Sequence, residues 1–353
     1  MSRLWKLLAT MLAISLIAAA CGDDDDDGDA TAPATTEAPA AVPDDEDEAP
    51  VTTAAPATDD VVETQGCDHT FHVITHGDSG VFWSVVEVAV RDAAAAIGCD
   101  VVYYGSNNDA LAQSQEIEAA IASGSSGIAI SLADPAGVSA AASAVVEAGI
   151  PLYTLNSGVN NYKDLGAVSH VGQTEIVAGN GAGERFNALG ASHILCARQE
   201  QSNVALEERC QGLAETFSGT VTSEFVGLDA NPDEQQNSIA ALLQADPSID
   251  GVLGVGPNLP LRALAAGEQA GRELAIGGFD LSGDLIDAIE AGDVAFTVDQ
   301  QQYLQGYLPV ILMYLQATNQ NTAGGGLPIL TGPGFVDTGN ASVVKALVSQ
   351  GTR

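Results

Sequence analysis

The sequence predicts an α/β body of two lobes, each a parallel sheet with helices on both faces. Three observations carry this. Short apolar strands alternate with amphipathic helices from Thr70 onward. The alternation restarts around residues 168–172, so a second unit follows the first. Residues 127–156 and 251–280 also echo each other: each places two strands either side of a helix and closes on a polar residue. Strands separated by helices of this length imply right-handed crossovers, and hence parallel sheets covered on both sides.

The elements follow in order. In the first unit, 72–75 is a short strand and 81–97 a helix, with Trp83, Val86, Val90, Ala93 and Ile97 on one face. Strand 101–104 leads to helix 110–123, with Leu111, Ile117 and Ile121 inward. Strand 127–132, helix 137–148 and strand 151–155 complete it. The second unit runs through helix 175–189, strand 193–197, helix 205–217, strand 220–226, helix 233–245 and strand 251–255. Helix 261–270, strand 274–279, helix 283–291 and strand 295–298 follow. A long helix over 302–318 comes next, then a Gly-rich stretch and a Pro-Ile-Leu-Thr segment. Ligands of open α/β sheets bind beyond the carboxyl ends of strands. Asn156 and Asp280 therefore take matching cleft positions, and Asn258 ends its strand run in the same manner.

The N-terminal stretch is of another kind. Arg3 and Lys6 precede an apolar run too short to span a bilayer, and small residues lead into Cys21. Ala18-Ala19-Ala20-Cys21 resembles the lipobox of bacterial lipoproteins, with Ala18 where lipoboxes usually carry Leu. The resemblance implies a signal peptide over 1–20, a lipid on the Cys21 thiol, and a location on the outer face of the cytoplasmic membrane, in the periplasm or cell envelope. Residues 22–66 hold 15 acidic and no basic side chains, with no aromatic residue. Such composition cannot offset its ordering entropy, which predicts a disordered tether of roughly 35–40 Å average span. The run 23–27 reads as solvated charge, not as a metal cage.

From Cys67 the chain stays apolar for 287 residues, ample for two lobes. The formal net charge is -36. Losing Arg3 and Lys6 makes it -38, and setting aside the 15 acidic tether residues leaves near -23 on the body. That surface repels phosphate backbones and anionic headgroups, which excludes nucleic acid and leaves the lipid anchor as the only membrane contact. Four cysteines remain besides Cys21. Cys67 and Cys99 lie just before the first two strands, Cys196 ends a strand, and Cys210 falls in a helix. Of three possible pairings we predict Cys67–Cys99 and Cys196–Cys210, as export permits; four buried thiols are the alternative.

Several segments then carry a family resemblance. They are Phe82-Trp83 after the first loop, Gly149-Ile-Pro-Leu-Tyr-Thr-Leu-Asn156, Gly277-Gly-Phe-Asp280, and Val298-Asp-Gln-Gln-Gln-Tyr-Leu-Gln-Gly306. Together, in order, they resemble the type I periplasmic solute-binding proteins of sugar ABC importers, in the ribose-binding cluster. The resemblance covers Asp68 to the C-terminus. It implies a first lobe of 67–172 with a return segment near 301–330, and a second lobe of 173–300 with a C-terminal segment near 331–353. It implies that Phe82 and Trp83 pack on a sugar ring, whose C–H faces suit an aromatic plane. It implies that Asn156 and Asp280 bond hydroxyls from opposite lobes and that Gln300 meets ligand where the chain crosses between them. As helix-start residues, Phe82 and Trp83 also read as core.

The departures matter. Where ribose binders follow the Asn156 position with Arg, this chain has Ser157, and a second ligand-contacting Arg aligns with Glu207. A cleft changed in this way loses two cations and gains a carboxylate, which disfavours phosphates and uronates and does not support ribose itself. Arg209 lies within pairing distance of Glu207 along the chain. His76 and Asp78, in a longer first loop, either reach the ligand or close the turn.

No Walker loop, G-x-S-x-G or H-E-x-x-H motif is present. Gly179-Asn-Gly-Ala-Gly183 falls inside a helical pattern, where it serves helix packing and not a dinucleotide. The five histidines show no metal spacing, so neither cofactor nor metal is expected. Asp280 with Glu207 as a glycosidase pair is a minor alternative. A sugar or signal sensor for a membrane receptor is another. The reading that results is a monomeric, non-enzymatic binding protein. It closes two lobes on a neutral monosaccharide or polyol and docks on an ABC transporter permease.

Overall fold

In the computed structural model residues 66–353 are described. The leader, Cys21 and residues 22–65 of the tether lie outside the described residues. The first sheet uses β1 (Thr70–Thr75), β2 (Asp100–Gly105), β3 (Gly127–Ser131), β4 (Leu152–Leu155) and β5 (Ser169–Gly172). Helices α1 (Gly80–Ile97), α2 (Ala110–Ala122) and α3 (Pro135–Glu147) connect them. The second sheet uses β6 (His193–Arg198), β7 (Thr220–Phe225), β8 (Gly251–Gly254), β9 (Ala275–Phe279) and β10 (Phe296–Asp299). Its helices are α4 (Glu175–Leu189), α5 (Val204–Thr216), α6 (Pro232–Ala245), α7 (Leu259–Ala270) and α8 (Gly283–Ala291).

The chain then returns to the first lobe as α9 (Gln302–Asn319) and β11 (Ile329–Leu330), and to the second as β12 (Gly334–Asp337) and α10 (Ala341–Ser349). The sheet orders are β11-β5-β4-β3-β1-β2 and β12-β10-β9-β8-β6-β7. All pairings are parallel except β12 against β10. The sequence reading did not resolve β12 and α10. A short strand antiparallel to its only neighbour lacks the strand–helix rhythm by which the others are found.

The central strands are buried throughout because helices cover both faces, whereas the edge strands β2 and β7 are more exposed. In β1, Phe71 and Val73 face α1 and α9, packing with Trp83, Val90, Val310 and Met313. Ile74 points to the other side, toward Ile117, Val138 and Val145. The second sheet repeats the arrangement, with Leu195 and Val252 on one face and Ile194 and Leu253 on the other. Glycine is required where helices meet closely. A Cβ on Gly306 would run into the Val86 carbonyl, and one on Gly179 into that of Arg209. Gly179 and Gly183 of α4 are therefore a helix-packing surface against α5, while Gly181 meets the Phe335 ring.

Leu111 corrects the reading of α2. It is 67% exposed, and Gln113 takes the inward place instead, donating from Nε2 to the Ser131 carbonyl at 2.8 Å. At about 100° per residue Leu111 lies roughly 120° round the helix from Ile117, off the buried stripe. Cys67 is bonded to Cys99, with Cα atoms 4.8 Å apart, and Cys196 to Cys210 at 5.8 Å. The first bridge ties the start of β1 to that of β2, whose register pairs Thr70 with Asp100.

Candidate functional site

Asn156 and Asp280 occupy equivalent places in the two lobes. Each follows the third strand of its sheet, β4 or β9. Each donates its N–H to the neighbouring strand: Asn156 to Val171 at 3.0 Å, Asp280 to Val298 at 2.7 Å. Both have positive φ, 61° and 69°. Among non-glycine residues Asn and Asp tolerate that region best, so the sharp turn and the polar side chain come from one choice of residue. Both side chains line a cavity of about 480 Å³ between the lobes.

Gln300, also lining the cavity, joins them. Its Nε2 donates to Asp280 Oδ1 at 2.5 Å, and its Oε1 accepts from Asn156 Nδ2 at 3.4 Å. Ser157 is buried, its Oγ 2.8 Å from Asn156 Oδ1 and 3.2 Å from Asn203 Oδ1 on the second lobe, so its one proton goes chiefly to the nearer Asn156 oxygen. Phe82 and Trp83 stand edge to face with centroids 4.9 Å apart. Both line the cavity and belong to the first lobe's core.

His76 is buried beside Trp83, its Nδ1 2.7 Å from Ser131 Oγ. Its Nε2 lies 3.5 Å from Glu200 and 3.4 Å from Asn203 Nδ2, both on the second lobe. Burial disfavours the Glu200 carboxylate, but its contacts with His76 and Asn203 outweigh that and leave its carboxyl below the usual range. Asp78 lines the mouth as an exposed residue, and Asn258 lines the cavity from the start of α7.

The second lobe supplies the charge. Arg209 is buried on α5 and lines the cavity. Its Nε and Nη2 donate to the two Glu175 oxygens at 2.7 and 3.2 Å, and its Nη1 to the Val255 carbonyl at 2.8 Å. Its guanidinium sits 4.5 Å from the Phe279 ring centroid. The bidentate pair makes Arg209 locally neutral while leaving it N–H groups to offer. Asp280 is deeply buried, and burial pushes its carboxyl up to about 6 although Arg209 and Gln300 favour the charged form.

Glu207 is not in this cleft. Its side chain is 62% exposed and pairs with Arg198 at 3.3 Å on the outer face. Two residues along a helix is a turn of about 200°, so Glu207 and Arg209 point to opposite sides of α5. The expected loss of two cations is thereby corrected to one, and Arg209 pairs with Glu175, not Glu207. The Asp280–Glu207 glycosidase pair falls for the same reason. Helical phase carried the signal: Leu206, Arg209 and Leu213 share the buried stripe. Glu200, on the loop after β6, carries no local signal, and Asn203 only that of a helix N-cap, its Oδ1 accepting from the Ala205 N–H at 3.0 Å. Among the described residues no group of three His, Cys, Asp or Glu side chains could hold a metal.

The model of the periplasmic binding protein domain matches residues 71–321. A carbohydrate transporter from Acidothermus cellulolyticus, solved in complex with myo-inositol, is 36% identical with a TM-score of 0.78. The match covers 81% of this chain and all of that one. The xylose/arabinose-binding protein XylF of Sulfolobus acidocaldarius is 26% identical over 76% of this chain and 70% of its own. A D-apiose import binding protein of Paraburkholderia graminis is 26% identical over 65% of this chain and 74% of its own.

Proposed function

The chain belongs to the periplasmic binding protein family, and from that premise we propose that it is the extracytoplasmic binding component of an ABC importer for a small neutral sugar or polyol. The observation that supports this most is the bridge from Asn156 through Gln300 to Asp280, set in a cavity edged by Trp83. Hydroxyl groups need donors and acceptors together, and these side chains offer both at the junction of two lobes. A ring polyol, such as the myo-inositol held by the Acidothermus relative, is the first candidate ligand. Anionic sugars are disfavoured because Glu175 already neutralises Arg209, while Asp280 and Glu200 stay in the wall. The family and its neighbours are binding components, and we read this chain as one, not as an enzyme.

Capture proceeds by lobe closure in this reading. Polar contacts already join the lobes away from the covalent crossings. The Val204 N–H donates to the Ala133 carbonyl at 3.0 Å, and Asn160 Nδ2 to Glu208 at 2.9 Å. Residues 67–172 with 301–330 form the first lobe in this proposal, and 173–300 with 331–353 the second. The mature protein is a monomer held to the membrane by a lipid on Cys21, its tether letting the body reach a permease. Cys21→Ala then releases the protein to the soluble fraction. A wild-type N-terminus without lipid by mass spectrometry overturns the anchor.

The ligand reading is tested by a thermal-shift panel of myo-inositol, xylose, arabinose, ribose, glucose and glucuronate, followed by calorimetry. The expected outcome is a neutral ligand that raises the melting temperature, no response to glucuronate, and a loss of roughly 2–4 kcal/mol of affinity in Asp280→Ala. Unchanged affinity in that variant, or a panel without any binder, refutes it.

A further inference from the structure

Gln305 does not line the cavity. It lies in the first turn of α9, wholly buried behind Asn156 and Gln300. Its Oε1 accepts from Asn156 Nδ2 at 3.1 Å. Its Nε2 lies 3.0 Å from Gln300 Oε1, 3.1 Å from the Gln300 carbonyl and 3.1 Å from Thr331 Oγ1. One amide thus touches a side chain of the first lobe and two places where the chain crosses between the lobes.

The bonds also have a direction. Ser157 Oγ donates to Asn156 Oδ1, Asn156 Nδ2 to Gln305 Oε1, Gln305 Nε2 to Gln300 Oε1, and Gln300 Nε2 to Asp280 Oδ1. A primary amide turned by 180° exchanges donor for acceptor, and nothing in its shape resists this. An ionised carboxylate accepts only. Asp280 therefore obliges Gln300 to donate to it and to turn its oxygen back. Gln305 passes that polarity on to Asn156.

We propose that Gln305 is a positioning residue: it carries the orientation set by the second lobe's carboxylate to the first lobe's Asn156, so both walls present a matched donor–acceptor pattern to one ligand. This rests on the ligand reading above. Without the central amide, Gln300 is still held by Asp280, but Asn156 keeps only its longer 3.4 Å bond to Gln300 Oε1 and samples both orientations, so only a fraction of molecules is competent to bind.

The test compares Gln305→Leu, which removes every bond, with Gln305→Glu, which keeps the acceptor for Asn156 but sets an acceptor against Gln300 Oε1. Calorimetry with myo-inositol should show both weakened about 10- to 100-fold, the worth of one or two hydrogen bonds. Val310→Ala, a core deletion on the same helix, should lower the melting temperature and leave affinity unchanged. In a double-mutant cycle, Gln305→Leu with Asp280→Asn should lose less than the product of the single losses, because both break one chain. The ligand-free protein supplies a separate readout: the side-chain amide resonances of Asn156 should shift or double in Gln305→Leu, while those of Gln300, held by Asp280, stay single. Affinity within twofold of wild type, or multiplying losses in the cycle, overturns the proposal. If wild type binds nothing in the panel, the ligand reading falls, and the amide resonances alone decide for or against Gln305.

Discussion

On the first lobe the inner cleft wall is built from rings and neutral amides, with the carboxylate of Asp78 only at the exposed mouth; on the second the inner wall is built from charge. Phe82, Trp83 and Asn156 come from the start of α1 and the end of β4, where the rings are continuous with the core. Arg209 and Asp280 come from α5 and the end of β9, and Glu175 behind them on α4 is as buried as they are. The equivalent strand ends, with the same positive φ, carry an amide on one side and a carboxylate on the other. A wall of rings is held by packing and tolerates an empty cavity. A wall of charges must satisfy itself before any ligand arrives, because an unpaired buried ion is costly.

Arg209 carries the largest part of the difference between the walls. Arg209→Met leaves Glu175 and Asp280 without their cation. Urea unfolding should show a loss of roughly 3–5 kcal/mol, the usual cost of removing one partner of a buried pair. A loss below about 1 kcal/mol would mean that water reaches the pair and that the second wall is not self-sufficient.

Asp280 sharpens it next. Its folded value, about 6, lies above the usual 3.8, so the folded protein holds that proton more tightly. The stabilisation is full below about pH 4 and is lost as pH rises through about 6, a change of roughly 3 kcal/mol. In ligand-free protein, the stability of wild type minus that of Asp280→Asn should fall across that window. A flat difference would place the carboxyl in contact with solvent. The first lobe has no counterpart, since Asn156 does not titrate.

The smallest effect compares the two bridges, one in each lobe. The chain-entropy view scales with loop length, here 32 residues for Cys67–Cys99 and 14 for Cys196–Cys210. Replacing each pair by serines should cost roughly 2–4 kcal/mol, and the first about 0.7 kcal/mol more than the second. The reverse order in calorimetric melts would show that strain or residual structure outweighs loop closure.

Much of this was legible beforehand. Periodicity placed the strands and helices of both units to within a few residues. The echo between 127–156 and 251–280 brought Asn156 and Asp280 to matching positions. The misreadings have separate causes. Linear alignment puts Glu207 at the cleft, although helical phase turns it away and turns Arg209 in. Polarity alone puts Leu111 inward, while Gln113 is buried because it can donate to the Ser131 carbonyl at the end of β3. Glu200 and Asn203 reach His76 across more than 120 residues of chain, as only the meeting of two lobes allows.

The elements, their alternation and the polar residues at strand ends are legible in the chain, because side-chain period and turn chemistry act over a few residues. Which charges face the cleft, and how its amides are oriented, follows from the packing of distant segments. Arg209 finds Glu175 and Asp280, and Gln305 finds Asn156, Gln300 and Thr331, only when helices and crossings far apart in the chain are brought together. Hydrogen bonds and desolvation depend on a few ångströms in space, and no local pattern records those distances.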